Sequence, residues 1–252
     1  MGSTSDPEEF TVLVTGFGPF KENFPLNPSW AIASKLPEYL PPLRPKAVGT
    51  GAGSQLPPVR ILVHPEPIRV NYQTVRTLVP DLWDLEGKSG RPRIDLAIHI
   101  GMAGPRPMYQ LERRGHRDGY AMKDVDGEFL RDQERHSTEG NKWIWHGMPK
   151  ELETDLDLDD VLERWKKHSP AGLDLRISED AGRYLCDFIY FSSLTHLLKA
   201  SEERRVVFLH VPADSSERAI TTGRELTVQL IRSLVESELG RKSASRWHGS
   251  NR

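Results

Sequence analysis

The sequence predicts an α/β fold, with a mostly parallel sheet covered by helices on both faces. Three observations carry that prediction. Short β-branched, apolar runs recur along the chain, and most of them end at a glycine or a proline. Stretches with helical spacing of apolar residues lie between these runs. The runs are continuous rather than alternating, which is the pattern of strands buried on both sides. At 252 residues, the chain suits one α/β domain of generous size, or at most two small ones.

The elements follow in order. TVLVTGF (Thr11–Phe17) is a buried strand ending in a glycine turn. GPFKENFPLNPS is a loop, and SWAIASKL (Ser29–Leu36) is a helix whose start is marked by Pro28. Pro37–Pro58 is rich in Pro and Gly and reads as a surface connection. Val59–Val70 supplies a second strand, cut short by Pro65 and Pro67. Val70, Val75, Leu78 and Leu82 then recur near helical spacing, with Pro80 late in the helix. Ile94–Met102, Gly172–Ser178 and Arg205–Pro212 are further strands. YLCDFIYFSSLTHLLKA and Glu217–Glu238 are helices. Lys123–Pro170 breaks the rhythm. It reads as a charged insertion around Arg131–Glu153, followed by a small helix at DLDDVLERWKKH. The expected organisation is a flexible N-terminus over 1–10, one α/β domain over 11–238, and a disordered tail over 239–252.

Composition excludes several function classes. Hydrophobic residues make up 37% and charged residues 28%, so a packed core is expected. A formal net charge of −2 gives no basis for binding nucleic acid or an anionic membrane. No run approaches the roughly eighteen apolar residues of a membrane span. MGSTSDPEEF lacks the apolar centre of a secretory signal, and Asp6 stands where a myristoylation signal wants Ser or Thr. One cysteine makes no internal disulfide and no thiolate metal site by itself. These features point to a soluble, reduced, cytosolic protein. No metal-spaced pair such as HExxH is present, and no cofactor is expected.

The one cysteine, Cys186, lies in SEDAGRYLCDF. A lone helical cysteine is ordinarily a small buried hydrophobe. Here a strand ends at Ser178, and Ser178, Asp180 and Gly182 are cap and turn residues. A helix therefore starts near Ala181–Tyr184, with Cys186 in its first turns. Backbone N–H groups and the helix dipole favour a thiolate at such a place. A thiolate nucleophile needs a base. In a parallel sheet functional groups gather beyond the carboxyl ends of the strands. His210, at the end of the FLHV strand, meets Cys186 if their strands are neighbours; otherwise it is a strand-end histidine bonded to a backbone carbonyl. A carboxylate after the AIHIGMAG strand would orient the imidazole. Spacing alone leaves Glu112, Asp118 and Asp124 open. TGFGPF (Thr15–Phe20) fails as a dinucleotide loop, because Lys21 stands at the third glycine position. Its glycines instead admit a ligand to the backbone, with Phe17 and Phe20 as flat apolar walls.

LVTGFGPF, NPSW, HIGMAG, LERRGH, SEDAGRYLCDFIYFSSL and FLHVP occur in this order, spread over Thr11–Pro212. Jointly they resemble the pyroglutamyl-peptidase I (pyrrolidone-carboxylate peptidase) family of cysteine peptidases. The resemblance implies a three-layer α/β/α sandwich with a mixed, mainly parallel sheet. It implies catalytic Cys186, His210 and Glu112, and so selects among the carboxylates. It also implies that Phe17 and Phe20 line a pyroglutamyl pocket. The implied partners are peptides with an N-terminal pyroglutamyl residue, and the implied reaction runs through a thioester with no metal. Met102 departs from members that carry a polar residue there, so backbone N–H groups near Phe20 or Cys186 are the expected oxyanion donors. Two alternatives stand beside this reading. One is a non-catalytic module binding pyroglutamyl peptides or proteins. The other is a thiol hydrolase with an altered substrate.

Overall fold

Every residue of the first strand, β1 (Phe10–Gly16), is buried. Such burial requires strands on both edges and cover on both faces, and the computed structural model supplies them. It describes residues 9–20, 25–43, 56–84, 87–88, 90, 92–104 and 107–249. The first eight residues of the expected flexible N-terminus, and residues 44–55 of the Pro-rich connection, lie outside the described residues.

After β1 come α1 (Pro28–Ala33), β2 (Val59–Val63), α2 (Tyr72–Trp83), β3 (Leu96–Met102), β4 (Tyr109–Glu112), β5 (Arg114–His116) and α3 (Asp132–Glu139). They are followed by β6 (Glu151–Glu153), α4 (Leu158–His168), β7 (Leu175–Ser178), α5 (Leu185–Lys199), β8 (Val206–Val211) and α6 (Glu217–Gly249). The main sheet has the order β2-β1-β3-β8-β4-β7, and β5 pairs with β6 in a separate ribbon. β2, β1, β3 and β8 are parallel. β4 runs antiparallel to β8 and parallel to β7. The sheet is therefore mixed and mainly parallel.

Period-two alternation sorts the strands into two faces. Val12, Val14, Leu96, Ile98, Ile100, Val207, Leu209 and Val211 point toward α1, α4 and α6, where Ile32, Trp165 and Leu230 complete one core. Leu13, Ala97, Val206 and Phe208 point toward α2 and α5 and form the other core. Helix, sheet and helix make three layers. Roughly 25 cal/mol per Å² of apolar surface removed from water drives both contacts.

α5 is apolar almost all round, so the sheet can cover only one of its sides. The insertion covers the other. Arg131–Glu153 reads from its sequence as a charged insertion, and within it Trp143 and Trp145 are 5% and 2% exposed. Trp145 packs against Phe188 and Phe191 at ring-centroid distances of 5.2 and 4.9 Å. A largely buried Arg76–Asp132 ion pair of 2.7 Å ties α3 to α2. The charges face water and the tryptophans complete the core.

The last helix also differs from the reading that ended it at Glu238. α6 continues to Gly249 through residues assigned to a disordered tail. No proline interrupts GRKSASRWHG, and Arg241 pairs with Glu238 one turn back at 3.1 Å. Among the described residues no helix is long and apolar enough to cross a membrane.

Candidate active site

The site lies where β1, β3 and β8 end. Asn27 caps α1 through its side-chain oxygen, which accepts the Ser29 N–H at 3.1 Å and the Ser29 hydroxyl at 2.8 Å. Its amide donates to the Gly18 carbonyl at 2.9 Å, and Ser29 Oγ accepts the Phe17 N–H at 3.0 Å. The NPS segment thus holds the GFGPF turn. Phe17 and Phe20 both line a cavity of about 230 Å³, together with Met102, Met122, Tyr184, Cys186 and His210. Sequence reasoning missed Asn27 and Met122; for Asn27 the Asn-Pro-Ser cap signature was the available signal.

Cys186 is the second residue of α5, and the glycine before it, Gly182, sits at φ +84°. The Tyr184 cap position supplies no side-chain bond to the first turn. The helix begins a few residues later than the cap residues suggested, so Cys186 stands at its very start.

β7 and β8 are not neighbours, contrary to the condition set for Cys186 to meet His210. β4 lies between them, with Gln110 opposite His210 and Glu112 level with Ser178. The meeting occurs all the same. Six residues separate Ser178 from Leu185, and that length easily spans two inter-strand spacings of about 4.8 Å. The intervening strand brings the third group. Glu112 is opposite Phe208, so it shares a sheet face with His210 two residues on.

His210 Nδ1 is 2.7 Å from Glu112 Oε1. The Cys186 side chain stands beside the same imidazole and lines the same cavity. Glu112 is 1% exposed and its Oε2 has no hydrogen-bond partner among the described residues, so the carboxyl group is held through its Oε1 contact with His210. Tyr190 donates its hydroxyl to the Glu112 carbonyl at 2.9 Å and fixes the backbone there. Burial alone would push the His210 pKa down. The adjacent Cys186 sulfur and the Glu112 carboxylate outweigh it and raise the value from 6.5 to about 10.

The other two carboxylates are accounted for elsewhere. Asp124 Oδ2 accepts from Asn71 at 2.8 Å and from the Tyr72 N–H at 3.2 Å, and so braces the start of α2. Asp118 is paired with Arg117 at the surface. Among the described residues no group of three or more His, Cys, Asp or Glu side chains is placed to hold a metal ion.

The sheet and its two helical layers define a three-layer α/β/α protein with a cavity at the strand ends, and comparison with known proteins identifies its family. A family model described as pyroglutamyl peptidase matches residues 88–231. Pyroglutamyl-peptidase 1 of Homo sapiens is 32% identical over 236 residues, spanning 90% of this chain and 92% of that protein. The crystal structure of pyrrolidone carboxyl peptidase from Thermus thermophilus superposes with a TM-score of 0.58 at 29% identity, over 90% of this chain and 99% of that one. A Pyrococcus furiosus pyrrolidone carboxyl peptidase variant shares the fold with a TM-score of 0.62 at 21% identity, over 92% and 99% of the two chains. This chain belongs to the pyroglutamyl peptidase family.

Proposed function

We propose that the chain is a cysteine exopeptidase that removes an N-terminal pyroglutamyl residue from peptides, with Cys186 as nucleophile, His210 as general base and acid, and Glu112 as the group that orients His210. The observation that carries this reading is the Glu112–His210 hydrogen bond with Cys186 beside the imidazole, at a cavity lined by Phe17 and Phe20. The names of the relatives support the choice of substrate.

A pyroglutamyl terminus has no ammonium group, because its nitrogen is closed into a lactam. The site must recognise a small neutral ring, and an apolar slot with a few backbone partners does so. A prolyl ring fills the same slot but leaves the lactam's hydrogen-bond partners unpaired, which penalises it. Cys186 gives its thiol proton to His210, and its sulfur attacks the carbonyl carbon of the pyroglutamyl residue. Backbone N–H groups near Phe20 and at the start of α5, where Cys186 stands, are the donors for the oxyanion that forms. As the tetrahedral intermediate collapses, the C–N bond breaks and His210 gives its proton to the leaving amine. His210 then takes a proton from water, whose oxygen attacks the thioester. Pyroglutamate leaves and the cysteine is regenerated. Glu112 stabilises the imidazolium present in both halves of the cycle.

The test is release of a fluorogenic amine from its pyroglutamyl amide. Cys186→Ala, or iodoacetamide treatment of the wild type, abolishes release. Full activity after either treatment removes Cys186 from the mechanism. Tight binding of a pyroglutamyl peptide without turnover would favour a non-catalytic module. Faster cleavage of prolyl or glutaminyl amides would mark an altered substrate.

A further inference from the structure

The residue after the nucleophile carries a carboxyl group that the reaction above does not use. Asp187 is 0% exposed and lies in the first turn of α5. Its Oδ1 accepts the His116 backbone N–H at 3.1 Å and lies 3.1 Å from His116 Nδ1. Its Oδ2 is 2.9 Å from the Tyr120 hydroxyl, and the same hydroxyl is bonded to the His116 carbonyl oxygen. Tyr120 has one proton for these two oxygens. With Asp187 ionised, one of the two contacts sets oxygen lone pairs against each other with no proton between them. A proton on Oδ2 satisfies the whole group. Asp187 then donates to Tyr120, Tyr120 donates to the His116 carbonyl, and Oδ1 accepts both His116 N–H groups.

We propose that Asp187 is a positioning residue for Cys186, held as a neutral acid in an Asp187–Tyr120–His116 chain that locks the first turn of α5 to β5 and to the loop bearing Met122. The proposal rests on the reading of Cys186 as nucleophile. Neutrality has a chemical purpose at this place, since a carboxylate one residue away opposes the charge of a thiolate. The lock also reaches the pocket. Met122 lines the cavity two residues beyond Tyr120, and its carbonyl accepts the Tyr72 hydroxyl at 3.0 Å. The titratable groups facing Asp187 are His116 from β5, Tyr120 from the following loop, Arg183 from the loop before α5, and Tyr190 within α5, while Arg76 of α2 lies over Phe188. Burial raises the Asp187 pKa, against the His116 and Tyr120 bonds that favour its ionised form.

The experiment compares wild type, Asp187→Asn, Asp187→Ala and Tyr120→Phe. Asparagine reproduces the neutral acid, with an oxygen to accept from His116 and an amide to donate to Tyr120. Two readouts are used: kcat and KM on the pyroglutamyl amide, and the alkylation rate of Cys186 by iodoacetamide. The second needs no substrate and reports one site, because Cys186 is the only cysteine. Asp187→Asn should stay within about threefold of wild type in both. Asp187→Ala should lose kcat by about tenfold or more, with a smaller change in KM, because the sulfur is no longer held in line. Tyr120→Phe should lose kcat in the same direction, and it keeps the apolar packing should Asp187→Ala fail to fold. The proposal is overturned if Asp187→Asn is as impaired as Asp187→Ala, or if its cysteine alkylates several-fold faster than wild type, the mark of a lost negative charge. It is equally overturned if Tyr120→Phe behaves as wild type. A wild type that does not cleave the amide defeats the functional reading instead, and the alkylation rates still decide this one.

Discussion

Gly101 is the floor of the site, and adding one methyl group there tests the geometry directly. Gly101 is the register partner of His210 on the neighbouring strand. A Cβ at Gly101 would lie 2.4 Å from Phe208 Cζ and 2.8 Å from Cys186 Sγ. To regain an ordinary contact of 3.4 Å, the Phe208 ring must retreat by about 1.0 Å and the sulfur by about 0.6 Å. The strand cannot yield, because β1 and β8 flank it, and Phe208 is fully buried. Overpacking of this kind costs about 1–3 kcal/mol of stability. With Cys186 as the proposed nucleophile, its displacement costs more in rate, and a misplacement near 1 Å is worth up to about a hundredfold. Gly101→Ala should therefore lower kcat/KM by about tenfold to a hundredfold, measured on the pyroglutamyl amide, and slow alkylation of Cys186. Phe208→Leu removes the Cζ atom at the tightest contact. The double variant should recover part of the stability loss, with a coupling energy of about 0.5–3 kcal/mol. Wild-type turnover in Gly101→Ala would refute the placement of the sulfur over this strand.

Two further outcomes follow from buried side chains. His99 is 0% exposed, with Nδ1 2.8 Å from Thr15 Oγ1 and Nε2 2.8 Å from Ser193 Oγ, and burial lowers its pKa from 6.5 to about 3. The folded state therefore resists a proton that the unfolded chain accepts. Stability is complete above pH 6.5 and falls as the pH drops toward 3, by on the order of 3 kcal/mol between pH 7 and 4. Urea titrations across that range should show His99→Gln with a flatter acid limb; identical limbs would contradict the assignment. Trp145→Ala removes the ring packed on Phe188 and Phe191 and should cost about 3–5 kcal/mol in denaturant unfolding. A loss below about 1 kcal/mol would return the insertion to the surface.

The long strands were legible because burial on both faces leaves mostly apolar side chains, with Thr15, His99 and His210 as polar exceptions. VLVTG, LAIHIG and VVFLHV carry that mark. YQLE, RGH and ELE do not, since three or four residues with charges among them show no period. Glu112 is the case in point: a carboxylate inside a strand breaks the apolar pattern for the sake of His210, so the pattern hid the strand that holds it. No spacing rule selects it over Asp118 or Asp124, because the choice depends on the register of β4 against β8. The insertion misled for another reason. Its charge density describes its outer side only, while the all-round apolar character of LCDFIYFSSLTHLLK called for a second cover that Trp143 and Trp145 provide.

β8 is the last strand in the sequence but lies inside the sheet, between β3 and β4. During synthesis the pair of strands from residues 109–178 has no sheet to join until residue 211 has emerged. Until then β3 and β4 present open edges, the state most exposed to wrong pairing. The same strand brings His210, so on the proposed mechanism the arrival that closes the sheet also delivers the base for Cys186. A nascent or truncated chain ending before β8 carries the thiol without its imidazole. On the proposed mechanism, folding to completion and acquiring reactivity are then one event.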